Sequence, residues 1–258
     1  MIAGILHEGS GLGNQLHRLV MTRVLALDKG YNWHMIFPQN FKGASFIEVD
    51  LGQSNYFETV PKDWFEKKVV ENGIDIRGYD PEINFVEDNT IIEGEFQDER
   101  YFKHRLPEIK EWLKVEPLEI PDDRCIINFR GGEYKLYPDL FLTQDYWDKG
   151  VEEMRKINPN MKFEVHTDDP EEAKKFFPDF NIIGNEQISH SKHTNMGYNW
   201  VALRYAKYAI ISNSSFAILP RLIRHLDGAV TIAPRGWARR NLGVWALPQN
   251  YYSDFIYL

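Results

Sequence analysis

Four short segments of this chain combine residue types that can do chemistry. The first, His7-Glu8-Gly9-Ser10-Gly11-Leu12-Gly13-Asn14-Gln15-Leu16, is a glycine-rich stretch. Between a strand and a helix, such a stretch brings backbone N–H groups and a helix N-terminus toward a bound group. It is not the dinucleotide fingerprint Gly-x-Gly-x-x-Gly. Counted from Gly9 the third glycine position holds Asn14, and counted from Gly11 it holds Leu16. The strand that follows ends in Phe37-Pro38-Gln39, with no acidic residue to hold a ribose. No Gly-Lys-Ser/Thr is present, so a P-loop is excluded as well. The alternative is a tight turn whose helix is capped by Asn14.

The second segment is Asn128-Phe129-Arg130-Gly131-Gly132-Glu133-Tyr134, directly after an apolar run. Arg130 offers a planar fork to a phosphate, the paired glycines allow close approach, and Glu133 adds a carboxylate. The competing reading is an Arg–Glu pair on a surface turn. The third segment, Ser212-Asn213-Ser214-Ser215-Phe216, places more small polar residues at a helix start than a cap requires, which suits an anion. Arg221, Arg224, Arg235, Arg239 and Arg240 follow it, a basic concentration in an acidic chain. The fourth, Thr167-Asp168-Asp169, suits a hydrogen bond to a ribose or base better than a metal, because Asp169 precedes Pro170 and fits a helix cap. His190 and His193 have metal-like spacing but no third ligand nearby, and read as a solvated loop. Trp237, Trp245, Tyr251, Tyr252, Phe255 and Tyr257 form an aromatic tail expected to pack the chain end.

These segments need strand ends and helix starts to hold them. Strands are expected at 2–6, 33–37, 90–94, 124–129, 162–167, 181–183, 209–212 and 229–233. Helices are expected from Asn14 to Gly30 and at 98–114, 143–157, 169–177, 198–208 and 214–226. The helix ending at Gly30 shows Leu16, Leu19, Val20 and Val24 on one face. Residues 39–89 read as loops and short elements. Pro117 and Pro121, followed by Asp122 and Asp123, mark a domain boundary. Alternating strands and helices imply βαβ units and parallel sheets.

The chain has 258 residues, 43% of them apolar, enough for one large domain or two small ones. Thirty Lys and Arg against 38 Asp and Glu give a formal charge of −8, which disfavours nucleic acid and anionic membranes as partners. A single cysteine, Cys125, excludes an internal disulfide. The opening apolar run is too short for a signal peptide, and no window has the ~18 apolar residues of a membrane span. A cytoplasmic protein without membrane insertion is therefore expected.

Taken in order, Gly11-Leu12-Gly13-Asn14-Gln15, Phe96-Gln97-Asp98-Glu99-Arg100-Tyr101-Phe102, Arg130-Gly131-Gly132-Glu133-Tyr134, Thr167-Asp168-Asp169 and Asn213-Ser214-Ser215-Phe216, with Ile232-Ala233-Pro234 behind, resemble the α-1,2-fucosyltransferase family over nearly the whole chain. The family's His-x-Arg-Arg-Gly-Asp-Tyr stands here with Asn128 for the histidine, Arg130 for the first arginine, Gly131 for the second and Glu133 for the aspartate. Ile218 and Leu219 replace its tryptophan pair. The resemblance implies an α/β, GT-B-like fold of two Rossmann-like parallel-sheet domains facing a cleft. Residues 1–118 would bind a glycan acceptor and 119–258 a nucleotide sugar. It implies inverting, metal-independent transfer of a sugar, L-fucose from GDP-fucose, to an acceptor hydroxyl, with no cofactor besides the donor. On that expectation Arg130 and the Asn213, Ser214, Ser215 helix start meet the charge on the leaving diphosphate. Glu133, then Glu8, is the candidate base. Thr167 and Asp168 belong to the donor site, Asp168 on the nucleoside. Gly11, Gly13 and Asn14 approach the donor, while Gln15, His17 and Gln97 line the acceptor side. Two other classes compete: a non-catalytic glycan- or nucleotide-binding protein, and an NAD oxidoreductase, which the failed fingerprint disfavours.

Overall fold

The computed structural model describes residues 1–52, 67–71, 78–138, 140–184, 195–237 and 252–258. Contacts divide the chain into two compact units, one of residues 1–114 and one starting at Val115. In the first unit β1 (Ile2–Ile5), α1 (Leu12–Lys29), β2 (Trp33–Ile36), β3 (Lys67–Val70), β4 (Thr90–Glu93) and α2 (Leu106–Trp112) follow in order. The strands form a parallel sheet ordered β2-β1-β4-β3. β1 and β2 are buried along their whole length, as parallel strands under helices must be. The apolar stripe of α1 lies in the core, and Gly30 ends the helix at φ 70, a left-handed turn that favours glycine.

The second unit contains β5 (Arg124–Phe129), α3 (Gln144–Ile157), β6 (Lys162–Thr167), α4 (Pro170–Phe176), β7 (Asn181–Ile183), α5 (Asn195–Tyr205), β8 (Tyr208–Ile211), α6 (Ile218–His225), β9 (Val230–Ala233) and β10 (Ile256–Tyr257). Its parallel sheet is ordered β10-β9-β8-β5-β6-β7. The core on one face gathers Phe129, Trp147, Met154, Phe163, Val165 and Phe177. No helix among the described residues is long and apolar enough to cross a membrane.

Several expected elements differ in detail. α1 begins at Leu12 with Gly11 as its cap, because the Gln15 N–H already donates to the Gly11 carbonyl at 3.1 Å. Asn14 lies inside the first turn and caps nothing. The helix expected over 98–114 is two 3-10 turns followed by α2. Asp98 caps the first turn through the Arg100 N–H, and Pro107 enters the first turn of α2. Among the short elements expected over 39–89 is β3, an exposed outer strand whose position the sequence did not mark. The helix expected over 198–208 runs from Asn195 to Tyr205, and the one over 214–226 is a 3-10 turn (Ser215–Ala217) leading into α6. From the aromatic tail, Trp237, Tyr252 and Phe255 are buried, whereas Trp245 and Tyr251 lie outside the described residues.

His34 on β2 is fully buried and neither ring nitrogen has a hydrogen-bond partner. Burial penalises the imidazolium and lowers the affinity of His34 for a proton. A depressed folded-state value means that stability is intact above the ordinary histidine value, near 6.5, and falls as pH drops below it. Replacing His34→Leu should flatten the decline in unfolding free energy between pH ~6.5 and ~5, measured by urea denaturation at each pH. An unchanged decline would assign the acid sensitivity elsewhere.

Candidate functional site

In the six-stranded sheet the strand order reverses between β5 and β8, since β6 and β7 follow on one side of β5 and β9 and β10 beyond β8 on the other. Connections leave this switch point in opposite directions, and it is outside the carboxyl ends of the strands at such a point that open parallel sheets bind ligands. The segments from Arg130 and from Ser212 start at these two ends, joined by the Ser212 N–H to the Asn128 carbonyl at 3.1 Å and by the Ser212 hydroxyl to Asn128 Oδ1 at 3.3 Å. Thr167, Asp168 and Asp169 follow the end of β6, which pairs with β5 on its other side.

Arg130 is 35% exposed, with its guanidinium against the Tyr134 ring at 5.5 Å. One terminal nitrogen pairs with Asp168 and the other with Glu133 Oε1 at 3.1 Å. The second Asp168 oxygen accepts the Gly131 N–H at 2.9 Å. Asp169 caps α4 through the Glu172 N–H at 3.2 Å and pairs with Lys135. Burial pushes the Asp169 carboxyl up, but the Lys135 ammonium and the Glu172 N–H outweigh it and hold it below the usual range. The glycine pair admits these aspartates. A Cβ on Gly131 would lie 2.6 Å from the Asp169 Cβ, and one on Gly132 2.5 Å from Asp168 Oδ2. Gly132 also has φ +25. The space that the sequence suggested for a ligand's approach is thus filled by a neighbouring loop. Lys135 went unread as a partner of this site; the second carboxylate oxygen left over by a capping Asp169 was the available signal.

At the end of β8 the Asn213 amide donates to the Leu140 carbonyl at 3.0 Å and to the Trp237 carbonyl at 2.8 Å. Its buried Oδ1 has no hydrogen-bond partner. Ser214 Oγ accepts the Phe216 N–H at 3.4 Å, so Asn213–Ser215 open a 3-10 turn rather than α6 itself. Among the described residues the downstream arginines, Arg221, Arg224 and Arg235, do not form an anion cluster. Arg221 is fully buried, donating to Thr231 and to the Leu203, Ala206, Lys207 and Val230 carbonyls, and burial lowers its guanidinium to about 9. Arg224 donates to the Tyr205 and Asp227 carbonyls. Arg235 sits by the chain end, its N–H on the Leu258 carbonyl. Arg239, Arg240, His190 and His193 lie outside the described residues.

In the first unit the glycine turn leaves β1 beside the end of β4, the corresponding switch point of that sheet. Glu8 is exposed, Gly9 has φ +76, and a side chain on Gly9 or Gly11 would meet nothing within 4 Å. Below the turn Arg18 donates to Ser10 Oγ, to the Gly94 carbonyl and to Glu95 at 2.8–2.9 Å. Gln97 donates to Asn14 at 3.0 Å and to Glu95 at 3.4 Å. Arg18 and Glu95 were not anticipated, although a basic residue on the buried face of α1 could have flagged them. Three expected acceptor contacts are instead internal. Gln15 is buried, donating to the Asn40 carbonyl and accepting the Lys42 N–H. His17 is buried with Nδ1 2.8 Å from the Gly13 carbonyl and its ring against Phe102. Gln97 is buried within its network. Gly13 is buried inside α1. Among the described residues no three His, Cys, Asp or Glu side chains are grouped to hold a metal ion.

No family model matches this chain. The chain is similar to an alpha-1,2-colitosyltransferase from Escherichia coli, 26% identical over 162 residues that make up 57% of this chain and 56% of that protein. The match thus spans little more than half of the relative's length. Among solved structures, E. coli heptosyltransferase WaaC with ADP is similar over 100% of this chain and 92% of its own, at TM-score 0.50 and 11% identity. The glycosyl transferase family 9 structure from Veillonella parvula covers 100% of this chain and 85% of its own, at 0.50 and 12%. The fucosyltransferase NodZ from Bradyrhizobium covers 86% and 93%, at 0.50 and 12%. At such identities the structures speak for the fold alone: an α/β, GT-B-like chain with two parallel sheets.

The close contact at Gly131 yields an expected outcome. Gly131→Ala should destabilise the protein by about 1–3 kcal/mol, the usual cost of an overpacked methyl, read as a lower midpoint in urea. Wild-type stability would mean that the two loops are not held this closely.

Proposed function

We propose that this protein is a glycosyltransferase that moves a sugar from a guanosine diphosphate sugar to a hydroxyl of a glycan acceptor. L-fucose is the first choice of sugar, and colitose, named in the E. coli relative, is the second. The observation that carries the reading is Arg130, just past the end of β5 at the switch point of the second sheet and oriented by Asp168 from the loop after β6. The motif order and the relative's activity support the donor class.

In this reading the acceptor oxygen attacks the anomeric carbon from the face opposite the diphosphate, which leaves with the bonding electron pair, so configuration inverts. Negative charge growing on the leaving group meets the Arg130 guanidinium, a preorganised donor. Glu133, largely exposed, takes the acceptor's proton. Arg130 and Lys135 already balance Asp168 and Asp169, which supports transfer without a divalent cation.

Incubation with GDP-fucose, GDP-colitose and mixed glycans, with GDP release as readout, tests the activity. Arg130→Ala should lower kcat/KM by about 2–4 kcal/mol of transition-state stabilisation with an unchanged circular dichroism spectrum, and EDTA should leave turnover unaltered. Normal turnover by the variant would remove Arg130 from the leaving-group role. Activity lost in EDTA would return the two aspartates to metal binding.

A further inference from the structure

Arg130 is held by two carboxylates of unequal standing. Asp168 is 30% exposed, accepts the Gly131 N–H at 2.9 Å and lies where Gly132 leaves room only for hydrogen, so two loop backbones set its position. Glu133 is 65% exposed and reaches Arg130 at 3.1 Å from three residues along the same turn. Arg130 is its only ion-pair partner among the described residues. Exposed pairs of this kind are weak and readily exchanged, whereas a carboxylate tied to backbone N–H and guanidinium together is not.

We propose that Asp168 is a positioning residue that stays on Arg130 throughout, and that Glu133 is a displaceable counter-ion exchanged for the diphosphate of the donor. The inference rests on the reading of this site as a diphosphate site and deepens it. In the free protein Glu133 occupies the second terminal nitrogen of the arginine, a further carboxylate on a guanidinium that Asp168 already balances. When the diphosphate arrives, the guanidinium keeps its bond to Asp168 and turns its other donors to phosphate oxygens, releasing the Glu133 carboxylate. That carboxylate then accepts the proton of the acceptor hydroxyl as the hydroxyl oxygen bonds to the sugar. Donor binding therefore precedes acceptor activation. Asp168, assigned to the nucleoside by the sequence, acts here through the arginine.

Calorimetric titration of wild type, Glu133→Gln and Asp168→Asn with GDP and with inorganic pyrophosphate, at one fixed salt concentration, tests both halves. Glu133→Gln should bind both ligands about two- to fivefold tighter, because it removes a competing anion. Asp168→Asn should bind both about tenfold weaker, by the same factor for each. In steady state, Glu133→Gln should lower the KM for the donor while also lowering kcat. Glu133→Gln affinity equal to or below wild type overturns the exchange. A loss in Asp168→Asn that affects GDP but spares pyrophosphate overturns the positioning role and restores a nucleoside contact. If Asp168→Asn does not fold, judged by circular dichroism, the Glu133→Gln titration alone decides. Wild type that binds neither ligand overturns the diphosphate reading itself, an outcome separate from wild type that binds both while Glu133→Gln shows no gain.

Discussion

A carboxylate that accepts a backbone N–H and a guanidinium at once fixes two loops and a charge together, and Asp168 does this for Gly131 and Arg130. Arginine has a long flexible side chain, so an unbraced one at a strand end samples many directions and offers little preorganised charge. Braced by Asp168, its fork starts from one direction, beside the loop that follows β6. The glycine pair, the neighbouring Lys135–Asp169 pair and the cap of α4 all accommodate that brace.

The two units meet a similar requirement in different ways. Each has a glycine turn leaving a buried strand at a switch point, and each places an arginine–carboxylate pair beside it. In the first unit Arg18 is nearly buried and its donors are taken by Ser10, Gly94 and Glu95. In the second, Arg130 has one firmly held partner and one exposed partner. Bonds from all three guanidinium nitrogens make the first arginine a structural brace under an open turn. Partial, exchangeable bonding leaves the second able to receive an anion.

Local chemistry that announces itself along the chain was legible. Apolar runs bounded by Gly, Pro and Asp placed β1, β2, β4, β5, β6 and β7, and Asp169-Pro170 marked the start of α4. What escaped depends on partners distant in sequence. β3 is an exposed outer strand of lysines and valines, joined to the sheet by its pairing with β4 and by the Lys68–Glu93 ion pair, and therefore lacks an apolar signature. Asn14 resembled a cap because caps and first-turn residues share the same side chains; its amide oxygen is held instead by Gln97, far along the chain. Arg221 read as part of a basic concentration because nothing local reveals that five backbone and hydroxyl oxygens converge on it.

Period, composition and motif order along the chain determined the α/β class, the parallel sheets and which strand ends carry polar residues, since these follow from local backbone preference and from which faces must avoid water. Only the tertiary structure decided which polar residues remain available. A side chain's hydrogen bonds are made with whatever the topology brings near it. In this way Gln15, His17, Gln97 and Arg221 were drawn inside, while Arg130, braced on one side and exchangeable on the other, was left facing solvent.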